Sequence, residues 1–294
     1  MINKVEYKDI DFEKYNHCIE NSVQKNFYCK KEMLDFLCKN WELLVYGDYQ
    51  AVMPVPFTKR IMLRLANMPL FCQQLGIFSK EDDIFVNQKF LDFFKKNYLI
   101  VNYQFNFNNH FETTLTTKKN YIIPVQEYAF LRRKKYFKGR KSTVKTAQYL
   151  DFREVFKDTY ILDFIKNNFK GLQKEKDMDL FIQYLFFLEK SGKLRMFGSY
   201  YEENLTNLAI LIDDGDCYSL LGLLNNEEFK SHNGASFLID RILKINIETK
   251  AFNFMGGSIR GIEVFFKSFG SDLQEYQVIQ NSKKDIVRNW LKIS

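Results

Sequence analysis

Hydrophobic and polar positions are most clearly organised in the last third of the chain. Residues 194–201, 205–213 and 217–224 read as strands, the last two joined by the turn Asp213-Asp214-Gly215-Asp216. A helix is predicted to open on Asn233-Gly234-Ala235-Ser236, with Ala235, Leu238, Ile239 and Ile242 on its apolar face. Residues 251–254 read as a short strand, followed by Gly256-Gly257-Ser258 and a helix carrying Phe265-Phe266-Lys267-Ser268-Phe269-Gly270. Residues 276–279 form a final strand, and Ile286, Trp290 and Leu291 give the tail a helical apolar stripe that predicts packing back on the body.

The first half is mixed. Residues 11–22 and 31–40 look helical. The runs 41–46 and 49–57 flank Gly47-Asp48, a hairpin signal. Pro54 and Pro56 point to an edge or the end of a strand. Residues 61–66, 72–78, 98–107 and 111–117 continue the strand pattern. Residues 83–96 predict an amphipathic helix with Ile84, Phe85, Leu91 and Phe94 towards the core. Further helices are expected at 141–149, 160–169 and 178–191. A strand ending at Pro124 and a basic stretch at 132–141 set a domain boundary near residue 125. The two halves repeat one order of elements without any repeat at residue level.

Composition narrows the classes. With 294 residues and 46% apolar content, the chain can bury one large core or two medium ones. The 30 Phe and 17 Tyr match the bias of an AT-rich genome and are not read as a ligand box. A net charge of +7 is a mild bias that suits a phosphate-bearing ligand. The five cysteines are scattered and contain no C-x-x-C, and the three histidines are far apart, so a metal site is not expected. No signal-peptide core and no membrane-length apolar run is present, which predicts a cytoplasmic protein with reduced thiols.

Four groups could carry chemistry. The small residues Asn233, Gly234, Ala235 and Ser236 at a helix start would let a phosphate approach free amides, although the same residues also suit an ordinary start capped by Asn233. On the first reading, a bulky residue at Gly234 weakens donor binding without unfolding the protein. Gly256, Gly257 and Ser258 at a strand end allow a ligand near the backbone, or simply a tight turn. Lys267 could stabilise an oxyanion, or face water as an ordinary surface lysine. The run 132–141 has seven basic residues in ten with Tyr136 and Phe137 interleaved, suiting nucleic acid or a solvated helix. Cys72 beside Gln73-Gln74 is the best-placed thiol for reactivity, but a buried cysteine is the better reading there.

Three pieces carry a resemblance: residues 41–56 with Gln73-Gln74-Leu75-Gly76-Ile77-Phe78-Ser79, the basic run, and Asn233-Gly234-Ala235 through Phe252-Asn253-Phe254 to Phe266-Lys267-Ser268-Phe269-Gly270. Together they resemble the FemABX branch of the GNAT acyltransferase superfamily, and especially a group of bacterial GNAT-like proteins common in Bacteroidetes. The resemblance implies an α/β fold of two tandem GNAT-like domains with an interdomain cleft, at 1–125 and 126–274, and a tail at 275–294. It implies N-acyl transfer to a small-molecule amine, with an acyl-CoA-like donor as substrate rather than a tightly bound cofactor. The alternatives are an aminoacyl-tRNA-dependent ligase acting on a cell-wall precursor, or a binding protein on a decayed scaffold. Phe266 and Lys267 match the family's catalytic Phe-Lys pair. Asn233, Gly234, Ala235 and Ser236 would bind the donor. Gln73, Gln74, Arg133, Gly256, Gly257 and Ser258 would bind substrate. Asn253 and Met255 stand where related sequences carry acids, which removes a general base there. The pyrophosphate loop of CoA-using relatives survives only as His232-Asn233-Gly234-Ala235.

Overall fold

A computed structural model describes residues 1–60, 63–172 and 174–293, with side chains except at 60, 63 and 289–293. The chain divides into two units, Met1–Lys118 with Glu275–Ser294, and Lys119–Gln274. The division falls inside the strand Thr116–Ile123. Its end pairs with the second unit's sheet, Ile122 opposite Asn253 and Ile123 opposite Phe252.

The first unit begins with β1 (Ile2–Val5), α1 (Phe12–Glu20), α2 (Lys31–Leu37), β2 (Trp41–Tyr46), β3 (Ala51–Arg60) and β4 (Leu63–Asn67). It continues with β5 (Phe78–Ser79), α3 (Ile84–Asn97) and β6 (Leu99–Gln104). Short acids start α1 and α3: Asp11 accepts from the amides of Glu13 and Lys14, both at 3.1 Å, and Asp83 from Phe85 and Val86 at 2.8 and 3.2 Å. Gly47 takes φ +59° in the turn from β2 to β3, where a side chain would be strained.

Pro54 and Pro56 do not end β3. They face Leu43 and Trp41 of β2, and among the described residues β3's other edge is paired only through Ala51–Val52 with β5 and Phe57–Arg60 with β4. The prolines fall in the gap between those two ladders, where no N–H is needed. The Pro54 carbonyl there accepts the Tyr103 hydroxyl at 2.7 Å. Residues 61 and 62 of the expected 61–66 strand lie outside the described residues.

The run 72–78 is irregular until Phe78, although Leu75 and Ile77 are fully buried. Three of its amides are satisfied outside a ladder. Leu75 N donates to Gln104 O at 3.0 Å, Gly76 N to Tyr103 Oη at 3.2 Å, and Ile77 N to Asn109 Oδ1 at 2.9 Å. Residues 111–115 are likewise not a strand. In α3, Phe90, Leu91 and Phe94 are buried, whereas Phe85 is 65% exposed and Ile84 is also at the surface. Buried Asn87 takes the inward position of the first turn, tied by Nδ2 to Asp82 Oδ1 at 2.7 Å and to His110 O at 3.0 Å.

The second unit contains β7 (Thr116–Ile123), α4 (Tyr128–Phe130) leading into a π-helical turn Leu131–Lys135, α5 (Lys138–Thr146) and β8 (Asp151–Glu154). Then come α6 (Thr159–Asn168), α7 (Glu175–Lys190), β9 (Leu194–Tyr201), β10 (Asn204–Asp213) and β11 (Cys217–Asn225). Last are α8 (Gly234–Asn246), β12 (Ala251–Asn253) and α9 (Arg260–Lys267). Its strand order is β7-β12-β11-β10-β9-β8. In α7 the inward face is Phe181, Tyr184, Leu185 and Leu188, whereas Phe186 is exposed. Leu238, Ile239 and Ile242 of α8 are fully buried as the pattern requires.

The chain ends in β13 (Asp272–Gln280) and α10 (Lys283–Ile293). Val278, Ile279 and Gln280 pair with Gln104, Tyr103 and Asn102, which attaches this tail to the first unit. The first unit's strand order is β1-β2-β3-β4-β6-β13, with β5 on β3. Of the expected tail stripe, the Trp290 and Leu291 side chains lie outside the described residues. Among the described residues, no helix is long and apolar enough to cross a membrane.

Candidate active site

The second unit's sheet opens along one strand. β11 and β12 pair in parallel only from Cys217–Ala251 to Ser219–Asn253. β11 then runs on to Asn225, still held by β10 on its other side. Its backbone edge facing β12 is therefore unpaired over residues 220–225 among the described residues. An extended ligand can bond to such an edge as a strand would.

β12 is diverted by its own sequence. Asn253 Oδ1 accepts the Met255 amide at 2.8 Å, Phe254 N donates to Tyr121 O at 2.9 Å, and Gly256 N donates to Asn120 Oδ1 at 3.0 Å. Gly257 has φ +143°, and a Cβ there would lie 2.5 Å from the Tyr121 ring. Gly257 is thus a close-approach glycine, while Ser258 beside it is exposed.

The opened edge leads into α8. Asn233 has φ +59° and makes no side-chain cap, so its carbonyl accepts from Ser236 and Phe237 at 3.0 and 3.2 Å while its amide side chain turns away. The amides of Gly234 and Ala235 have no protein acceptor among the described residues. Gly234 also packs on the sheet. A Cβ there would stand 1.9 Å from Asn207 Oδ1 and 2.8 Å from both Ser199 Oγ and Thr206 Oγ1. These three side chains form a buried network, Ser199 with Thr206 at 2.7 Å and with Asn207 at 3.2 Å, beside the bulge between Leu205 and Asn207. A bulky residue at Gly234 would therefore displace α8, and the expectation that it spares the fold is corrected.

Arg140, on α5, joins this helix start to α9. Its Nε donates to Ser268 Oγ at 2.8 Å, and a terminal nitrogen donates to Ser236 Oγ. Its guanidinium lies 4.4 Å and 4.6 Å from the ring centres of Phe265 and Phe269. Burial lowers its pKa from the ordinary arginine value, yet an arginine stays charged at any physiological pH. No carboxylate pairs with it among the described residues. A part-buried cation at a helix N-terminus without a counterion is a place where an anion is stabilised.

Lys267 is the last residue of α9, exposed, and immediately precedes Ser268. Arg140 thus holds together two of the expected segments, 233–236 and 266–268. Glu263, one turn before Lys267, is kept below the usual carboxylate range by hydrogen bonds from Lys119 at 2.9 Å and Tyr121 at 2.7 Å, with Lys267 contributing charge. Phe266 is a core residue, stacked on Phe254 at 4.4 Å and 25°. Arg133 is exposed on the π-helical turn, where its carbonyl accepts Lys141 Nζ at 2.6 Å.

Gln73 and Gln74 belong to the first unit. Gln74 is buried, with Oε1 accepting Phe107 N at 2.9 Å and its carbonyl accepting Asn26 Nδ2 at 3.4 Å, so its polar groups support a loop. Cys72 is buried, and desolvation pushes its thiol well above the ordinary value, which makes it inert. Among the described residues, no group of three or more His, Cys, Asp or Glu is placed to hold a metal. Arg140 was visible in the sequence only as one of seven basic residues. Its distinguishing contacts come from segments about a hundred residues away.

No protein-family model matches the chain, and no curated protein sequence does. Solved structures do. The chain is similar to FemX with a TM-score of 0.66 and 11% identity, covering 93% of this chain and 96% of that one. L-PGS from Bacillus licheniformis aligns with a TM-score of 0.54 and 14% identity, over 96% and 95% of the two chains. A tandem GNAT protein from the clavulanic acid biosynthesis pathway aligns with a TM-score of 0.53 and 7% identity, over 95% and 97%. The chain thus shares the fold of FemX and of a tandem GNAT protein, two GNAT-like units in one chain.

Proposed function

We propose that the second unit transfers an acyl group from an activated, phosphate-bearing donor to an amine. One observation carries the reading: an unpaired strand edge at 220–225 leads to uncapped amides at Gly234 and Ala235, beside an arginine without a carboxylate. The donor's phosphate binds those amides and the Arg140 charge. Its amide-containing arm lies along β11. Acyl-CoA has both features.

The acceptor amine attacks the donor carbonyl. The N–C bond forms, the C–S bond of a thioester breaks with its electron pair on sulfur, and the amine's proton passes by way of water to the departing thiolate, which leaves as the thiol. Lys267 stabilises the oxyanion of the tetrahedral intermediate. Gly256, Gly257 and Ser258 border the acceptor's approach, where the missing Gly257 side chain keeps the backbone close to Tyr121. Phe266 acts from the core, holding the helix that carries Lys267. A second reading, with aminoacyl-tRNA as donor, is favoured by exposed Arg133, Lys134 and Lys138 on the segment that bears Arg140.

A ligand that binds only the folded protein raises its melting temperature. Thermal shift with acetyl-CoA, longer acyl-CoAs and aminoacyl-tRNA, followed by mass spectrometry of amine products, separates the readings. A shift and product with acyl-CoA supports the first, and a shift and product with aminoacyl-tRNA alone supports the second. No shift with any donor, or binding without product across amines, contradicts the proposed transfer.

A further inference from the structure

The first unit holds a cavity of about 550 Å³, a volume ordinary for small-molecule sites. It lies at the end of the sheet where β3 finishes and β4 begins, with Phe57 and Lys59 on one side and Arg64 on the other. α3 starts after the opposite end of β4, so the cavity is not this unit's counterpart of the α8 site.

The charges around it are unevenly committed. Glu42, 2% exposed, is paired with Arg64 and accepts the Tyr98 hydroxyl at 2.5 Å. Glu6 is paired with the same arginine at 3.3 Å. Asp35 accepts from Trp41 Nε1 at 2.9 Å, Tyr7 Oη at 3.1 Å and Lys31 Nζ at 2.5 Å. Each of the three acids lining the cavity thus has a basic partner within the protein, Glu6 and Glu42 sharing Arg64. Three lining lysines, Lys8, Lys39 and Lys59, have no carboxylate partner among the described residues. The remaining wall comes from the rings of Tyr7, Trp41 and Phe57 together with Cys38 and Asn40. Tyr7 stands edge-on to Trp41 at 5.3 Å, and Arg64 stacks over Phe57 at 5.2 Å, which fixes these rings in place.

We infer that this cavity binds a small phosphate monoester, its phosphate on Lys8, Lys39 and Lys59 and its apolar body against Tyr7 and Phe57. Ammonium groups serve as point charges for phosphate, and rigid rings favour a flat apolar group. The inference rests on the cavity alone and stands or falls separately from the reading of the second unit.

The test is calorimetry on the full chain with phenyl phosphate, using inorganic phosphate and phenol as single-group probes. Phenyl phosphate is expected to bind saturably and more tightly than either, with affinity falling as salt is raised. Replacing the three exposed lysines together (Lys8→Ala, Lys39→Ala, Lys59→Ala) is expected to weaken it about tenfold or more, as three exposed ion pairs are lost. The melting temperature should not move, and Lys267→Ala should bind the probe normally. No saturable binding, equal binding of the single-group probes, or undiminished affinity in the triple variant would overturn the site.

Discussion

Each unit contains one crossover between parallel strands, β4–α3–β6 in the first and β11–α8–β12 in the second. The topology is shared and the chemistry at the helix start is opposite. In the first unit, Asp83 caps α3 with its own carboxylate, and Asp82 beside it binds Asn87, Gln24 and His110. β4 also ends at Asn67, where its pairing with β6 ends, so no strand edge runs past the ladder. In the second unit, Asn233 leaves α8 uncapped, Arg140 supplies a positive charge, and β11 extends beyond its partner to Asn225. A helix start filled by an acid repels an anion, whereas an open one beside an arginine attracts it. One architecture thus yields one closed terminus and one open one, decided by a few side chains.

The largest expected effect breaks the catalytic half of this contrast. Lys267→Ala should lower turnover ~100–1000-fold, roughly 3–4 kcal/mol, with donor affinity and melting temperature nearly unchanged. A variant keeping more than about half its turnover would remove Lys267 from the site. Next is Arg140→Gln. Loss of a charged contact to phosphate should weaken donor binding by about 1.5–3 kcal/mol in calorimetry. It should also lower the melting temperature, because Arg140 ties α8 to α9. Unaltered donor affinity would assign Arg140 a purely structural task.

Asp83→Ala serves as the control from the closed side. Losing this cap should cost about 0.5–2 kcal/mol in denaturant unfolding while leaving donor affinity unchanged. A gain or loss of donor binding there would dissolve the contrast between the units.

The smallest effect is a pH dependence. Glu263 sits below its ordinary 4.5, so the folded protein favours the carboxylate. Its contribution is present above pH 4.5 and is lost as pH falls through the lower folded value. The melting-temperature gap between wild type and Glu263→Gln should therefore narrow on acidification below pH 4.5. A gap that widens instead would show that Lys119 and Tyr121 do not hold the charged form.

Much of the second unit was legible in the sequence because its signals are local. β9, β10 and β11 follow from apolar runs and the Asp-Gly turn, and α8 from a stripe at helical spacing. Where burial is satisfied by distant groups, the reading failed. Residues 72–78 look like a strand, but Tyr103 and Asn109 take their amides. Ile84 and Phe85 look inward, but Asn87 holds that position. Gly234 looked like a ligand glycine, and its contact with Asn207 shows that it is also a packing glycine. Arg140 could not be singled out at all, since its meaning comes from Ser236, Ser268 and two phenylalanines far along the chain.

The proposed transfer requires the open start of α8 to hold the donor's anion. Asn233→Asp tests this, because it places a negative charge beside the uncapped start of α8. Asp tolerates the left-handed backbone at this position, so the fold is preserved. Calorimetric titration with acyl-CoA and with aminoacyl-tRNA should show at least about a tenfold loss for whichever donor binds wild type, with the melting temperature unchanged or raised. Undiminished donor affinity in a folded Asn233→Asp protein would contradict the account.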